Sequence, residues 1–172
     1  ASGKFEIKDD SDGNDERIYE TTNAENNTWY RVVVVLDNLE QKLYINGVLE
    51  GSGENMEASA GLNAFTSNLY IGDRKGDGTG CRPGKMSDFQ VWNGLFTQSD
   101  ATFDYLNPES LALNNGGTSL TESNLKLWYP MQDGHRGIQS YILDGANTGL
   151  GDELISDISA SKDVVLLLLE VL

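Results

Sequence analysis

Cysteine and histidine are almost absent from this chain: Cys81 and His135 are the sole examples in 172 residues. One cysteine makes no intramolecular disulfide and no thiolate metal cluster, and it leaves the redox compartment undetermined. One histidine excludes multi-histidine metal sites, and a Ser-His-Asp reading is left with a single base in the segment Asp133-Gly134-His135-Arg136-Gly137. Basic residues are scarce as well, 12 against 27 acidic, for a formal net charge of -15. Such a charge repels a phosphate backbone or an anionic membrane, so nucleic acid is not an expected partner. Solubility in a medium that screens self-repulsion is the plain account of this acidity, and cation binding is the alternative. No apolar run reaches the ~18 residues of a membrane span, and Ala1 to Lys8 lacks the apolar core of a signal peptide, so membrane insertion is not expected. The chain begins without methionine, which reads as a processed product or a fragment.

What is present is strand. Trp29 to Leu36 is almost wholly apolar and β-branched, as suits a strand buried on both faces, with Val32 to Val35 at the centre of a core. Asn46-Gly47 stands between the alternating run Lys42-Leu43-Tyr44-Ile45 and Val48-Leu49, and this pair readily takes the positive φ values of a two-residue hairpin turn. Leu69 to Gly72 reads as a further strand. Phe89 and Val91 face one way in the next, with Gln90 and Trp92 facing the other, so that one face of each later strand packs inward in two stacked sheets. Phe5 to Lys8 and Arg17 to Tyr19 read as short strands around an acidic turn.

After Trp92 the pattern changes. Thr97, three residues before Asp100, opens a short helix toward Leu106 by a capping-box arrangement, ended before Pro108. Asn114 to Thr121 is polar and reads as a loop or linker. Leu125 to Tyr129 and Ser140 to Leu143 read as strands beyond it. The run Val164, Val165, Leu166, Leu167, Leu168 and Leu169 is too short for a membrane and too apolar for water. It is either a core strand of its own chain or an assembly interface that adds to a neighbour's sheet edge.

Two oxygen-rich loops are candidate cation sites. Asp10, Asp12 and Asn14 alternate as in a calcium loop, but Asp15 stands where an EF-hand needs glycine and Thr21 where it needs the bidentate glutamate, so an EF-hand is rejected. Asp73 and Asp77 offer carboxylates in the loop from Asp73 to Gly80, and calcium is the ion they would take. Arg74 and Lys75 neutralise that loop locally, which favours a plain connector. Tyr70, Trp92 and Trp128 are the aromatics suited to stacking on sugar rings, with Asn93, Asp73 and Asp77 for hydrogen bonds. Core packing is the competing account of these aromatics. A glycosidase would need two carboxylates across a cleft.

Thr28-Trp29-Tyr30 with its valine run and Asp37, then Leu43 to Gly47, Leu69 to Gly72, and Gly84 to Trp92 with Leu95, resemble the laminin-G-like, concanavalin-A-like jelly roll over roughly Phe5 to Leu106. The resemblance implies an all-β, two-sheet antiparallel jelly-roll sandwich with one short helix, over residues 1–110. A linker at 111–124 and a C-terminal extension at 125–172 follow. Members are mostly carbohydrate- or protein-binding modules, with glycosidases on related sandwiches whose paired acids lie on one strand as E-x-D-x-x-E; no such run occurs here. Such domains usually have several strands ahead of the tryptophan strand, and this chain has little there. LKLWYPMQDG resembles the segment with which they commonly begin. Either these later strands complete the sandwich in permuted order, or they start a second module.

Leu111 to Gly151 resembles stretches that follow laminin-G-like domains in structural proteins of marine bacteriophages. That resemblance implies a non-enzymatic virion component, a decoration, fibre or tail protein. Its partners would be copies of itself, other virion proteins or a cell-surface glycan. The alternative is an extracellular carbohydrate-binding module, calcium-dependent or not, and a glycoside hydrolase is the minor one.

Overall fold

The computed structural model describes residues 3–9, 16–37, 40–54, 71, 84–107, 118–130 and 163–171. Eight strands and one helix occupy them in the order β1 (Gly3–Asp9), β2 (Glu16–Ala24), β3 (Trp29–Asp37), β4 (Glu40–Ile45), β5 (Val48–Glu54), β6 (Lys85–Asn93), α1 (Gln98–Leu106), β7 (Leu125–Tyr129) and β8 (Asp163–Val171). Every pairing is antiparallel. β1 and β2 form a two-stranded sheet; the others form a six-stranded sheet in the order β5-β4-β3-β8-β6-β7. This is an all-antiparallel β-sandwich arrangement, mostly strand with one short helix.

The turn chemistry sets the first half of the large sheet. Asn46 at φ 51° and Gly47 at φ 78° make the tight connection between β4 and β5, both in the left-handed region that a primed hairpin turn needs. The Asn46 side-chain oxygen accepts from the Arg31 backbone N–H at 2.9 Å, and the Asn46 backbone N–H donates to the Arg31 carbonyl at 2.8 Å. The hairpin is thus pinned to β3 as well as closed on itself.

The strand periodicity then sorts the core into two clusters. Tyr30, Val32, Leu43 and Ile45 pack with Phe5 and Ala24 of the β1–β2 hairpin, and the rings of Phe5 and Tyr30 meet edge-on at 5.2 Å. Val33, Val35 and Tyr44 point the other way, to Trp92, Phe96, Ala101, Leu120 and Leu125. The register Val32↔Ile45 and Val33↔Tyr44 fixes which residues share a face, because a slip of one residue would invert both. Each fully buried aliphatic side chain in these clusters contributes about 1.5–3 kcal/mol.

β3 is therefore covered on both faces, as its valine run implies. In β6 one face was expected to pack inward, and both do: Gln90 and Trp92 are as buried as Phe89 and Val91, because α1 and Leu120 cover the Trp92 side. β7 pairs with β6 through Phe89↔Tyr129, Gln90↔Trp128 and Val91↔Leu127, so Leu125 to Tyr129 extends the same sheet as β3 to β5. Of the expected linker, residues 111–117 lie outside the described residues, and 118–124 are tied to the domain at Leu120, which is buried, and at Ser119. Ser119 bonds to Asp100, and Leu120 lies so close to Gly94 that a Cβ there would meet its Cδ2 at 2.6 Å.

The segment Val164 to Leu169 lies in β8, between β3 and β6. Its backbone pairs with β3 from Trp29↔Val171 to Asp37↔Asp163 and with β6 from Lys85↔Val171 to Asn93↔Val164. Both of its hydrogen-bonding edges are used within the chain, so it is a central strand and adds no free edge to a neighbour in this form. The expected strand at Leu69 to Gly72 lies outside the described residues except for Ile71, a half-buried bend. The expected strand at Ser140 to Leu143 and the acidic turn from Asp10 to Asp15 lie outside them as well, although the pairing Asp9↔Glu16 joins the two strands that flank the turn.

Candidate functional site

The helix face of the large sheet carries a buried polar chain. It starts from α1. Thr97 caps the helix: its N–H donates to the Asp100 carboxylate at 2.7 Å and its hydroxyl oxygen accepts from the Asp100 N–H at 3.3 Å, a reciprocal box that stabilises the first turn. Asp100 and Asp104 are one turn apart and lie on the same face as Ala101, the face turned to the sheet. Gln98 and Thr102 donate to the Gly47 carbonyl, and Gln98 accepts from the Leu49 N–H at 3.1 Å. The helix is thereby docked onto the β4–β5 turn.

Asp104 meets Arg31 of β3. The guanidinium Nε and Nη2 donate to the two carboxylate oxygens at 2.6 and 2.7 Å, a bidentate pair, while Nη1 donates to Asp88 Oδ2 at 2.5 Å. The other oxygen of Asp88 accepts from Gln90 Nε2 and from Trp128 Nε1, each at 2.8 Å. Gln90 Oε1 in turn accepts from Trp92 Nε1 at 2.9 Å. One connected chain, Asp104 to Arg31 to Asp88 to Gln90 to Trp92, with Trp128 as a branch, joins α1, β3, β6 and β7.

Asp88 reaches this position by a distortion. Its φ is 55°, and the pairing of β6 with β8 shifts register between Ser87 and Gln90. A bulge of this kind re-aims a side chain, here bringing the carboxylate to Arg31. A left-handed non-glycine residue costs about 1–3 kcal/mol and persists when its surroundings over-determine it. Four polar bonds of the Asp88 and Gln90 side chains supply that determination.

The electrostatics follow from one cation between two carboxylates. Burial works against the charge on Arg31, yet the bonds and charges of Asp104 and Asp88 outweigh it and hold the guanidinium above its ordinary pKa. Burial raises the Asp104 carboxyl, reinforced by the charge of Asp88 and opposed by Arg31. Asp100 moves the opposite way: burial pushes it up, but the bonds from Thr97 and Ser119 prevail and lower it. Both carboxylates of the Arg31 cluster are engaged by its guanidinium. The geometry is that of a clamp.

The expected site residues separate accordingly. Trp92 is 1% exposed, and its indole N–H is bonded to Gln90. Trp128 is half-buried against the core with its N–H on Asp88. Trp92 is thus a core side chain with no face left for a sugar, as the core-packing account has it, whereas Trp128 keeps part of its ring surface open. Asn93 ends β6, half-buried, where its carbonyl accepts from Asn124 Nδ2 at 2.7 Å. Tyr70, Asp73 and Asp77 lie outside the described residues. Among the described residues, no group of three or more His, Cys, Asp or Glu is placed to hold a metal ion, and no helix is long and apolar enough to cross a membrane.

Arg31, Asp88, Gln90 and Asp104 were not anticipated from the sequence. A signal exists for the first two: an arginine inside a valine run and an aspartate heading an apolar strand are costly to bury alone, which calls for a partner. The partners are 57 and 73 residues apart in the chain, and no local pattern links them.

A family model described as the concanavalin A-like lectin/glucanases superfamily matches residues 1–102, from β1 into α1. Neither the curated proteins nor the solved structures include a match.

Proposed function

Since the chain belongs to the concanavalin A-like lectin/glucanases superfamily, we propose that it is a non-enzymatic jelly-roll module whose work is assembly, as a structural component of a virion. Its partners are copies of itself or other proteins of the particle. One observation carries this reading over a lectin-like one: Trp92, an aromatic suited to a sugar, is 1% exposed in the core with its indole N–H on Gln90. Polar residues on the helix face serve the fold in the same way, with Asp88 and Asp104 both on Arg31. The resemblance of Leu111 to Gly151 to segments of phage structural proteins supports the location.

The superfamily's description favours a second reading, a carbohydrate-binding module, which would have to work through loop residues such as Tyr70, Asp73 and Asp77. Light scattering after size exclusion, beside a glycan array run with calcium and with a chelator, separates the two. The assembly reading expects an oligomer and no calcium-dependent glycan signal. A monomer with calcium-dependent glycan binding overturns it.

A further inference from the structure

Strand β8 divides and completes the large sheet at once. Without it the sheet falls into two parts, β5-β4-β3 and β6-β7, each with an unpaired edge. β3 and β6 come from distant parts of the chain, and nothing but β8 stands between them in the sheet order. Residues 130–162 separate β8 from β7, and at about 3.3 Å per extended residue they can reach well beyond one sandwich. The gap between β3 and β6 therefore specifies a strand by register on both sides while placing little restriction on which copy of the chain supplies it.

We propose that residues 163–171 are an exchangeable strand, donated reciprocally between two copies of this chain, so that the assembled form is a strand-swapped dimer. The inference rests on the assembly reading above and names its partner, a second copy. Swapping preserves every pairing of the closed form, from Trp29↔Val171 to Asp37↔Asp163 on one edge and from Lys85↔Val171 to Asn93↔Val164 on the other. The two forms then differ in the path of the connection and in the entropy of association, which makes exchange a low-cost route to a dimer. Unpaired edges on β3 and β6 would be strong templates for any strand. The donated strand that fits both registers is the one already encoded, with its apolar run from Val164 to Leu169.

The test uses the full chain with Cys81→Ser and the pair Lys85→Cys with Val171→Cys, partners in register at one end of β6 and β8. Opposed strand residues lie at Cα separations that a disulfide can bridge. A second variant, Trp29→Cys with Val171→Cys, probes the other edge of β8, and unchanged thermal melting qualifies either protein as folded. After mild oxidation at high protein concentration, non-reducing electrophoresis is compared with light scattering. A covalent dimer, with its fraction rising several-fold when the protein is refolded concentrated rather than dilute, is the expected result. A covalently closed monomer inside a non-covalent oligomer overturns strand exchange and leaves the assembly reading standing. A closed monomer that is also monomeric in solution overturns both. A folded protein that forms neither cross-link overturns the placement of β8 between β3 and β6, and the inference with it.

Discussion

The two faces of the large sheet are stabilised in different ways. Toward the β1–β2 hairpin, Tyr30, Val32, Leu43 and Ile45 meet Phe5 and Ala24 in an apolar cluster. Toward α1, an equally apolar cluster around Trp92 is bordered by a buried salt-bridge chain from Asp104 through Arg31 to Asp88. Apolar packing stabilises in proportion to area and tolerates exchange of similar shapes. A bidentate ion pair in a dry interior adds little net stability over an apolar replacement, but it is severely destabilising when one partner is removed. The hairpin face thus depends on volume. The helix face depends on partners, and it fixes where α1, β3, β6 and β7 meet.

The largest expected break in this comparison is Arg31→Met, which strands two buried carboxylates and should cost about 3–5 kcal/mol. Urea unfolding followed by tryptophan fluorescence measures it, and a loss below about 1 kcal/mol would make the clamp an ornament of the fold. On the opposite face Leu43→Ala, at a site 1% exposed, should cost about 3 kcal/mol through lost transfer energy and a cavity. Combined with Arg31→Met the losses should add within about 0.5 kcal/mol, since the two share no partner. Marked non-additivity would mean that the two faces are not independent.

Legibility from sequence divides along the same line. The hairpin at Asn46-Gly47, the valine strand, the capped helix and the strand at Leu125 all announce themselves by period, turn chemistry or cap, because each signal lies within a few residues. The clamp does not. An arginine and two aspartates separated by most of the domain become neighbours through the sheet order, and the bulge at Asp88 has no compositional mark. Trp92 and Trp128 illustrate the cost: an aromatic that is polar at one end suits a binding face and a buried network equally well in sequence. For Trp92 it is burial at 1% exposure that places the ring in the core.

Smaller changes sharpen the account of the helix face. Gly47→Ala meets φ 78° together with the Thr102 Cα at 3.0 Å and the Ala101 carbonyl at 3.1 Å, backbone that cannot yield cheaply. A loss of about 1–3 kcal/mol is expected, read as a melting temperature lower by about 2–4 °C for each kcal/mol at this size. Thr97→Ala removes the capping box and should cost about 1 kcal/mol, measured in the same way.

The smallest effect is a dependence on pH. Asp100 has a folded pKa below the 3.8 of an ordinary aspartate, so its contribution is complete above 3.8 and is lost as pH falls through the lower, folded value. Asp104 has a folded pKa above 3.8, so the stability linked to it is present below 3.8 and is lost as pH rises through the higher, folded value. Asp100→Asn should therefore flatten the acid limb of a melting-temperature profile, and Asp104→Asn should flatten the limb at higher pH. Identical profiles for both variants would contradict the opposite shifts.

The buried polar residues of the helix face hold one another through Arg31, Asp88, Gln90 and Asp104. A double-mutant cycle of Arg31→Met, Asp104→Leu and the combination, followed by urea unfolding, tests this most directly. The double variant is expected to be more stable than the sum of the single losses implies, with a coupling above about 2 kcal/mol, because neither the Arg31 nor the Asp104 charge is then left without the other. Losses that simply add, with a coupling within about 0.5 kcal/mol of zero, would contradict it.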